Sequence, residues 1–270
     1  AWFLYPQMAP PHVPWIGFAL FCGASLAVTA FPVLARILTE TGLQKTPLGI
    51  LTLTCAAFND VVAWCLLAFV IAVVRAGGIG NAWLTTLFAI LYLLFMYFII
   101  RPFLARLALR YGTSRHFSQN AMAGVMMLLL ISSLISEAIG VHALFGAFLL
   151  GVAIPRQGHL MENLLRRLED LTGVLLLPLF FASTGLKTQI GLLDTPALWG
   201  LCGLVGLIAT AGKLLGSYLP ARYSGISMKE SFALGIMMNT RGLMELIILT
   251  VGLELGVLTP AFFAILVLVA

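Results

Sequence analysis

Eight stretches of this chain run apolar for 17 residues or more, at 14–35, 48–74, 82–104, 119–136, 138–154, 171–187, 196–219 and 231–252. Crossing about 30 Å of hydrocarbon as a helix takes roughly 17–25 residues. A ninth run begins near Thr259 and is cut off at Ala270. A transmembrane β-barrel alternates apolar and polar residues over about ten positions, whereas these runs are continuous and twice that length. The pattern predicts an all-α polytopic membrane protein.

Composition agrees. The chain is 61% hydrophobic and 9% charged, with a mean hydropathy of +1.07. A water-facing shell needs roughly a quarter charged residues, so the solvent for most of this surface is lipid. Ala1 stands where a start Met is expected, Ala1–Trp15 reads as a Pro-rich loop without a cleavable signal pattern, and both ends are abrupt. The chain reads as a fragment of a longer protein.

The net charge of +5 invites a nucleic-acid reading, but the basic residues sort by loop. Alternating sides from the first span, one set of loops holds Arg36, Lys45, Arg101, Arg106, Arg110, Arg115, Arg156, Arg166, Arg167, Arg222 and Lys229. The other set holds Arg75 and Lys187. By the positive-inside rule the rich side is cytoplasmic, so the basic balance is a topology signal and no nucleic-acid partner is implied. Cys22, Cys55, Cys65 and Cys202 lie in apolar runs without metal-ligand spacing and read as small buried hydrophobes.

An ionisable side chain at mid-helix in lipid costs at least about 2.5–3.5 kcal/mol, so each one asks for a reason. Asp60 sits near the middle of the 48–74 run beside Asn59, with Ala56 and Ala57 three and four residues before it on the same face. Small residues there leave room for a neighbouring backbone or a hydrated ion, and a carboxylate in such a place can trade a proton for a metal cation. The structural alternative is an aspartate permanently paired with a basic residue. Lys213 lies mid-run between Gly212 and Gly216, too far from either end to reach water easily, and Asp60 is its expected partner. Arg241 and Glu245 are four apart and share a helical face, which suggests a structural pair. Glu137 and His142 sit in a polar interruption between two runs, the expected mouth of a helical hairpin near the outer surface.

Two runs carry signals for a broken helix. In Thr29-Ala30-Phe31-Pro32, Pro32 removes a backbone donor and disfavours helix at the residue before it. The freed carbonyls and the Thr29 hydroxyl can then coordinate a cation. In Asn239-Thr240-Arg241-Gly242, Gly242 permits unwinding at a polar mid-run position. Broken helices in two halves of a membrane protein point to a transporter site. The first break precedes the Asp60 run and the second follows the Lys213 run, a mirrored order that inverted-topology repeats produce.

The motifs Thr29 to Leu38 (TAFPVLARIL), Asn59-Asp60 with Val61 and Ala63-Trp64, Gly212-Lys213, and Asn239 to Gly242 with Glu245 resemble the monovalent cation/proton antiporter superfamily. The branch they resemble contains potassium-efflux antiporters and plant cation/proton exchangers. The resemblance runs through essentially the whole chain. It implies two crossed discontinuous helices in a core bundle beside a dimerisation bundle. It implies a single transmembrane domain over 1–270, with first core helices at 14–74, a linker helix at 82–104, part of the dimerisation bundle at 119–187 and second core helices at 196–270. By position it makes Asp60 the cation and proton carrier, Asn59 its neighbour, Thr29 a lining residue and Lys213 the charge partner. Pro32, Asn239, Thr240, Arg241, Gly242 and Glu245 become structural residues of the breaks. The family's opening helices are absent here, and the acidic pair of some electrogenic members is Asn59-Asp60.

The resulting expectation is a secondary transporter, homodimeric at full length and seated in a bacterial inner membrane. It exchanges K⁺ or Na⁺ for H⁺ and needs no cofactor and no metal beyond the transported cation. A sodium-coupled organic-anion symporter and a cation channel are the alternatives. An intramembrane protease wants paired aspartates, a serine–histidine arrangement or a metal site, and these runs hold one mid-run aspartate and no His-Glu-x-x-His.

Overall fold

The computed structural model of the chain describes residues 4–75, 83–111, 119–155 and 159–270, with the backbone alone at 107–111, 119–121, 159–163 and 170. Arg115, Arg156 and the first residue of the expected span 82–104 lie outside the described residues. Every regular element among the described residues is helical. The physical reason is that lipid offers no partner for backbone N–H and C=O groups, so a spanning segment must satisfy them within itself.

The helices are α1 (Tyr5–Met8), α2 (Trp15–Ala27), α3 (Phe31–Glu40), α4 (Pro47–Arg75), α5 (Trp83–Phe95), α6 (Arg101–Tyr111), α7 (Gln119–Ile139) and α8 (Ala143–Ala153). They continue with α9 (His159–Leu171), α10 (Leu177–Lys187), α11 (Pro196–Tyr223), α12 (Met228–Met238), α13 (Leu243–Glu254) and α14 (Pro260–Val269). Among the described residues, six helical stretches are long and apolar enough to cross a bilayer, α2 and α3 counting as one. The pair α12–α13, bent by 44° at its break, makes a seventh.

By its contacts the chain divides into two compact units, residues 1–67 with 184–270, and residues 68–183. The first unit is built around an aromatic core. Phe18, Phe21, Phe262 and Phe263 are fully buried with Ile248 and Leu249. The Phe18 and Phe262 rings stack at 5.6 Å, and a Cβ at Gly252 would stand 2.2 Å from Phe21 Cζ, so only glycine admits that ring. A second apolar cluster joins Leu34, Leu38, Ala56, Ala221, Leu234 and Met238. Ala56 therefore opens its face to a neighbouring helix rather than to an ion.

In the second unit, α7 and α8 form the hairpin foreseen around Glu137 and His142. Gly140, at φ +94°, makes the turn. Glu137 pairs with Arg75 at 2.8 Å and accepts from the Ala143 N–H, while His142 Nδ1 caps α8 at Leu144 N. The span expected at 138–154 is shorter than its apolar run, because Gly140, Val141 and His142 are spent on the turn and α8 keeps 11 residues. The two helices meet closely. A Cβ on Gly146 would fall 2.2 Å from the Ser132 carbonyl. Ser132 gives its hydroxyl proton to the Gly146 carbonyl at 2.6 Å, so Tyr92 must donate to Ser132.

Among the described residues, two π-turns interrupt this unit, Met96–Ile100 between α5 and α6 and Thr172–Leu176 between α9 and α10. Each is followed at the second position by proline, Pro102 and Pro178. A proline cannot donate to the carbonyl four residues back. In both places the N–H before it, of Arg101 or Leu177, reaches one residue further, to the Met96 or Thr172 carbonyl. The expected span 171–187 is correspondingly longer, since α9 continues through the π-turn into α10.

Candidate functional site

The site grows from two interruptions in the first unit. Helix α2 ends at Ala27 and α3 begins at Phe31, leaving Val28, Thr29 and Ala30 extended or irregular. The opening lies upstream of the expected position. Pro32 occupies the second residue of α3, where its missing N–H costs nothing to the new helix. Its effect falls four residues back, on the Val28 carbonyl, which loses its helical partner. The Ala27 carbonyl loses its partner as well, because the Phe31 N–H turns to the Thr29 carbonyl at 2.9 Å. The second interruption is Asn239–Gly242, between α12 and α13. Gly242 has φ +155° and ψ −141°, a conformation essentially reserved for glycine.

These interruptions cross and bind each other. The Ala30 N–H donates to the Thr240 carbonyl at 2.9 Å, and the Thr29 hydroxyl donates to the Met238 carbonyl at 2.9 Å. Neighbouring helices then satisfy the carbonyls freed at the end of α2. From α4, Asn59 Nδ2 donates to the Ala27 carbonyl at 3.1 Å and to Thr29 Oγ1 at 2.9 Å. From α11, Lys213 Nζ donates to the Val28 carbonyl and to Thr29 Oγ1, the latter at 3.0 Å. Both donors face the partially negative end of α2, where positive charge is favoured.

The expected ion pair between Asp60 and Lys213 is not formed. The ammonium is drawn instead to oxygens that the first break exposes, and its charge reaches Asp60 through space. Asp60 Oδ1 is buried and takes no hydrogen bond from the protein. Thr29 is fully buried, and its one proton and two lone pairs are all engaged.

Arg241 and Glu245 do meet, at 2.7 Å, with side chains 8% and 1% exposed. Glu245 stands in the first turn of α13, where a carboxylate suits the helix dipole. Asn239 Oδ1, Arg241 Nη2 and Glu245 Oε2 are buried without a protein partner.

An open cavity of about 330 Å³ adjoins the crossing, lined by Gly23, Thr29, Asn59, Gly212, Lys213 and Gly216 among others. Asp60 is not among its lining residues. Gly212 and Gly216 leave open space beside Lys213 on α11. The structure thus gathers Thr29, Asn59, Lys213 and the Asn239–Gly242 segment around one crossing. The sequence pointed to freed carbonyls at the first break without naming them. They are those of Ala27 and Val28, held by Asn59 and Lys213, whereas the carbonyls of Met238 and Thr240 were not singled out. Counting back four residues from Pro32 is the signal that finds Val28.

Residues 2–270 match the family model described as the transmembrane sodium/hydrogen exchanger. The chain is 46% identical over 267 residues to the Na⁺/H⁺ antiporter NhaS4 of Synechocystis sp., covering 99% of this chain and 65% of that protein. It is 41% identical to cation/H⁺ antiporter 17 of Arabidopsis thaliana over 94% of this chain and 31% of the relative. It is 34% identical to K⁺/H⁺ antiporter 1 of Saccharomyces cerevisiae over 96% and 30%. The chain therefore spans 65% of its cyanobacterial relative and under a third of the plant and yeast ones. With its helical spans, its crossed interruptions and this match over nearly every residue, the chain belongs to the transmembrane sodium/hydrogen exchanger family.

Proposed function

We propose that this chain is the transport portion of a secondary transporter that exchanges a monovalent cation, K⁺ or Na⁺, for H⁺ by alternating access. The observation that carries the reading is Asp60 Oδ1, buried next in sequence to a residue that holds the first break, with no hydrogen bond from the protein. A buried unpartnered carboxylate oxygen is costly, of order 1–3 kcal/mol or more for a charged group. A cation or a proton relieves that cost, and one carboxylate cannot hold both. Asp60 is the shared carrier, with Asn59 and Thr29 beside it and Lys213 as the fixed charge that acts on it through space. Pro32, Asn239, Thr240, Arg241, Gly242 and Glu245 keep the two breaks in shape. Exchange follows if only the occupied forms of Asp60 pass between inward-facing and outward-facing states.

On this reading 14–74 and 196–270 supply the two halves of the core, 82–104 the linker helix and 119–187 part of a dimerisation bundle. The full-length protein is a homodimer, and its home is a bacterial inner membrane, as suits the identity to a cyanobacterial relative. The test is reconstitution of the full-length protein in liposomes with an internal pH dye under an outward K⁺ or Na⁺ gradient. A cation-dependent pH change, lost in Asp60→Asn, is the expected result. Cation or solute flux without a pH response would overturn exchange and favour a channel or a symporter.

A further inference from the structure

We infer that Asn59 is a positioning residue that supplies two protons to the first break, which a carboxylate at the same position cannot do. Counting donors fixes the argument. The Ala27 carbonyl can only accept, so the end of the Asn59 side chain 3.1 Å from it must be the NH₂ group. The Met238 carbonyl can only accept, so the Thr29 hydroxyl proton, 2.9 Å away, is committed to it. Thr29 Oγ1 then has two lone pairs left, and Asn59 Nδ2 and Lys213 Nζ fill them. Both Asn59 amide protons and the Thr29 proton are thus committed, and so are two of the three Lys213 protons.

Residue 59 thus works on both breaks at once. It satisfies an orphaned carbonyl at the end of α2, and it holds the Thr29 hydroxyl in the rotation that links α2 to the end of α12. An aspartate has the same shape and the wrong protons. Ionised, it donates to neither oxygen, and it adds negative charge at the negative end of α2. Protonated, it donates to one of the two. Lys213 keeps a third ammonium proton that an ionised aspartate at position 59 can attract. That still leaves a carboxylate oxygen facing Thr29 Oγ1 with no proton between them. Relieving this turns the Thr29 proton away from Met238 and parts a bond between the breaks. The effect of a substitution on α4 therefore spreads to a helix that Asn59 does not touch through any bond described above.

The role of Asn59 as a clamp stands on this geometry, and its consequence for transport rests on the proposed role of Asp60. The experiment separates them. Backbone hydrogen exchange is followed by mass spectrometry on the purified full-length protein, in peptides covering 28–31 and 238–242, alongside cation-driven exchange in liposomes. Asn59→Asp is expected to speed amide exchange in both peptides about tenfold, the size of one lost hydrogen bond, and to raise the cation KM by a similar factor. Asp60→Asn is expected to abolish transport while leaving both peptides at the wild-type rate. Thr29→Val, isosteric without the hydroxyl, should mimic Asn59→Asp, and Thr29→Ser should restore the wild-type rate. This pair decides the matter if Asn59→Asp does not fold. Wild-type amide exchange in Asn59→Asp, or in Thr29→Val, would overturn the clamp. Transport surviving in Asp60→Asn would overturn the proposed function instead, and the amide rates would still judge Asn59.

Discussion

The N–H of Ala30 and the carbonyl of Thr240 lie 2.9 Å apart across two different interrupted helices, so the crossing is joined by main chain as well as by side chains. Main-chain groups that lipid would leave unsatisfied are thereby paired within the protein. Truncating a side chain cannot remove that bond; only a proline at position 30, which has no N–H, or a shift of the backbone does so.

Gly242 is the place where the backbone is most easily moved. At φ +155° an alanine is strained, and its Cβ would meet Val33 Cγ2 at 3.4 Å and Ala30 Cβ at 3.6 Å. The space is tolerable, so the cost is conformational, about 1–3 kcal/mol. Gly242→Ala is expected to lower the Tm of the detergent-solubilised full-length protein and to slow exchange in liposomes. An unchanged Tm would show that the break accepts an ordinary residue.

Arg241 and Glu245 form a buried pair, and such pairs punish the loss of one partner more than the loss of both. Arg241→Met leaves a buried carboxylate alone and should cost roughly 3–5 kcal/mol. The double variant Arg241→Met/Glu245→Leu should recover most of that stability. Thermal unfolding of the two variants side by side checks it, and equal losses would deny the coupling.

Lys187 and Glu254 make an ion pair of similar length, 2.8 Å, with side chains 38% and 53% exposed. Exposure screens it. Lys187→Ala should change stability by less than about 1 kcal/mol, and a larger loss of Tm would mean that the pair is shielded in the working protein.

If Asp60 carries cation and proton by turns, exchange has a bell-shaped dependence on pH. At low pH protons exclude the cation from the carboxylate, and at high pH too few protons arrive to complete the return step. Raising the cation concentration should move the acidic limb of the bell to lower pH, because competition for one site is a ratio of concentrations. Initial rates at several cation concentrations measure it, and a limb that stays in place would speak against a shared site.

The spans and both interruptions were legible because lipid leaves so few ways to satisfy a backbone. Their signals, Pro32 and the run Asn239 to Gly242, are local. The partner of Lys213 was not legible. Matching side chain to side chain pointed to Asp60, whereas the oxygens that take the ammonium belong to Val28, whose apolar side chain advertises nothing, and to Thr29. The end of the 138–154 run misled for a related reason, since Val141 is apolar enough to belong to a span and yet serves a turn. Hydropathy registers solvent preference, and it is blind to which carbonyls a proline or a glycine releases.

The two π-turns before Pro102 and Pro178 bear on how this chain tolerates changes of length. A π-turn holds one residue more than the α-turn it replaces. Removing a single residue from Met96–Ile100 or from Thr172–Leu176 would let the helix close into an unbroken α-ladder up to the proline. Everything beyond would then keep its orientation relative to what precedes it, because the bulge already absorbs the roughly 100° that one extra residue adds. In these two windows a one-residue deletion, ordinarily ruinous inside a span, trades one well-formed helix for another and keeps the same face of α6 or α10 towards its surroundings. Relatives that lack the extra residue would carry the same prolines on helices that keep the same phase.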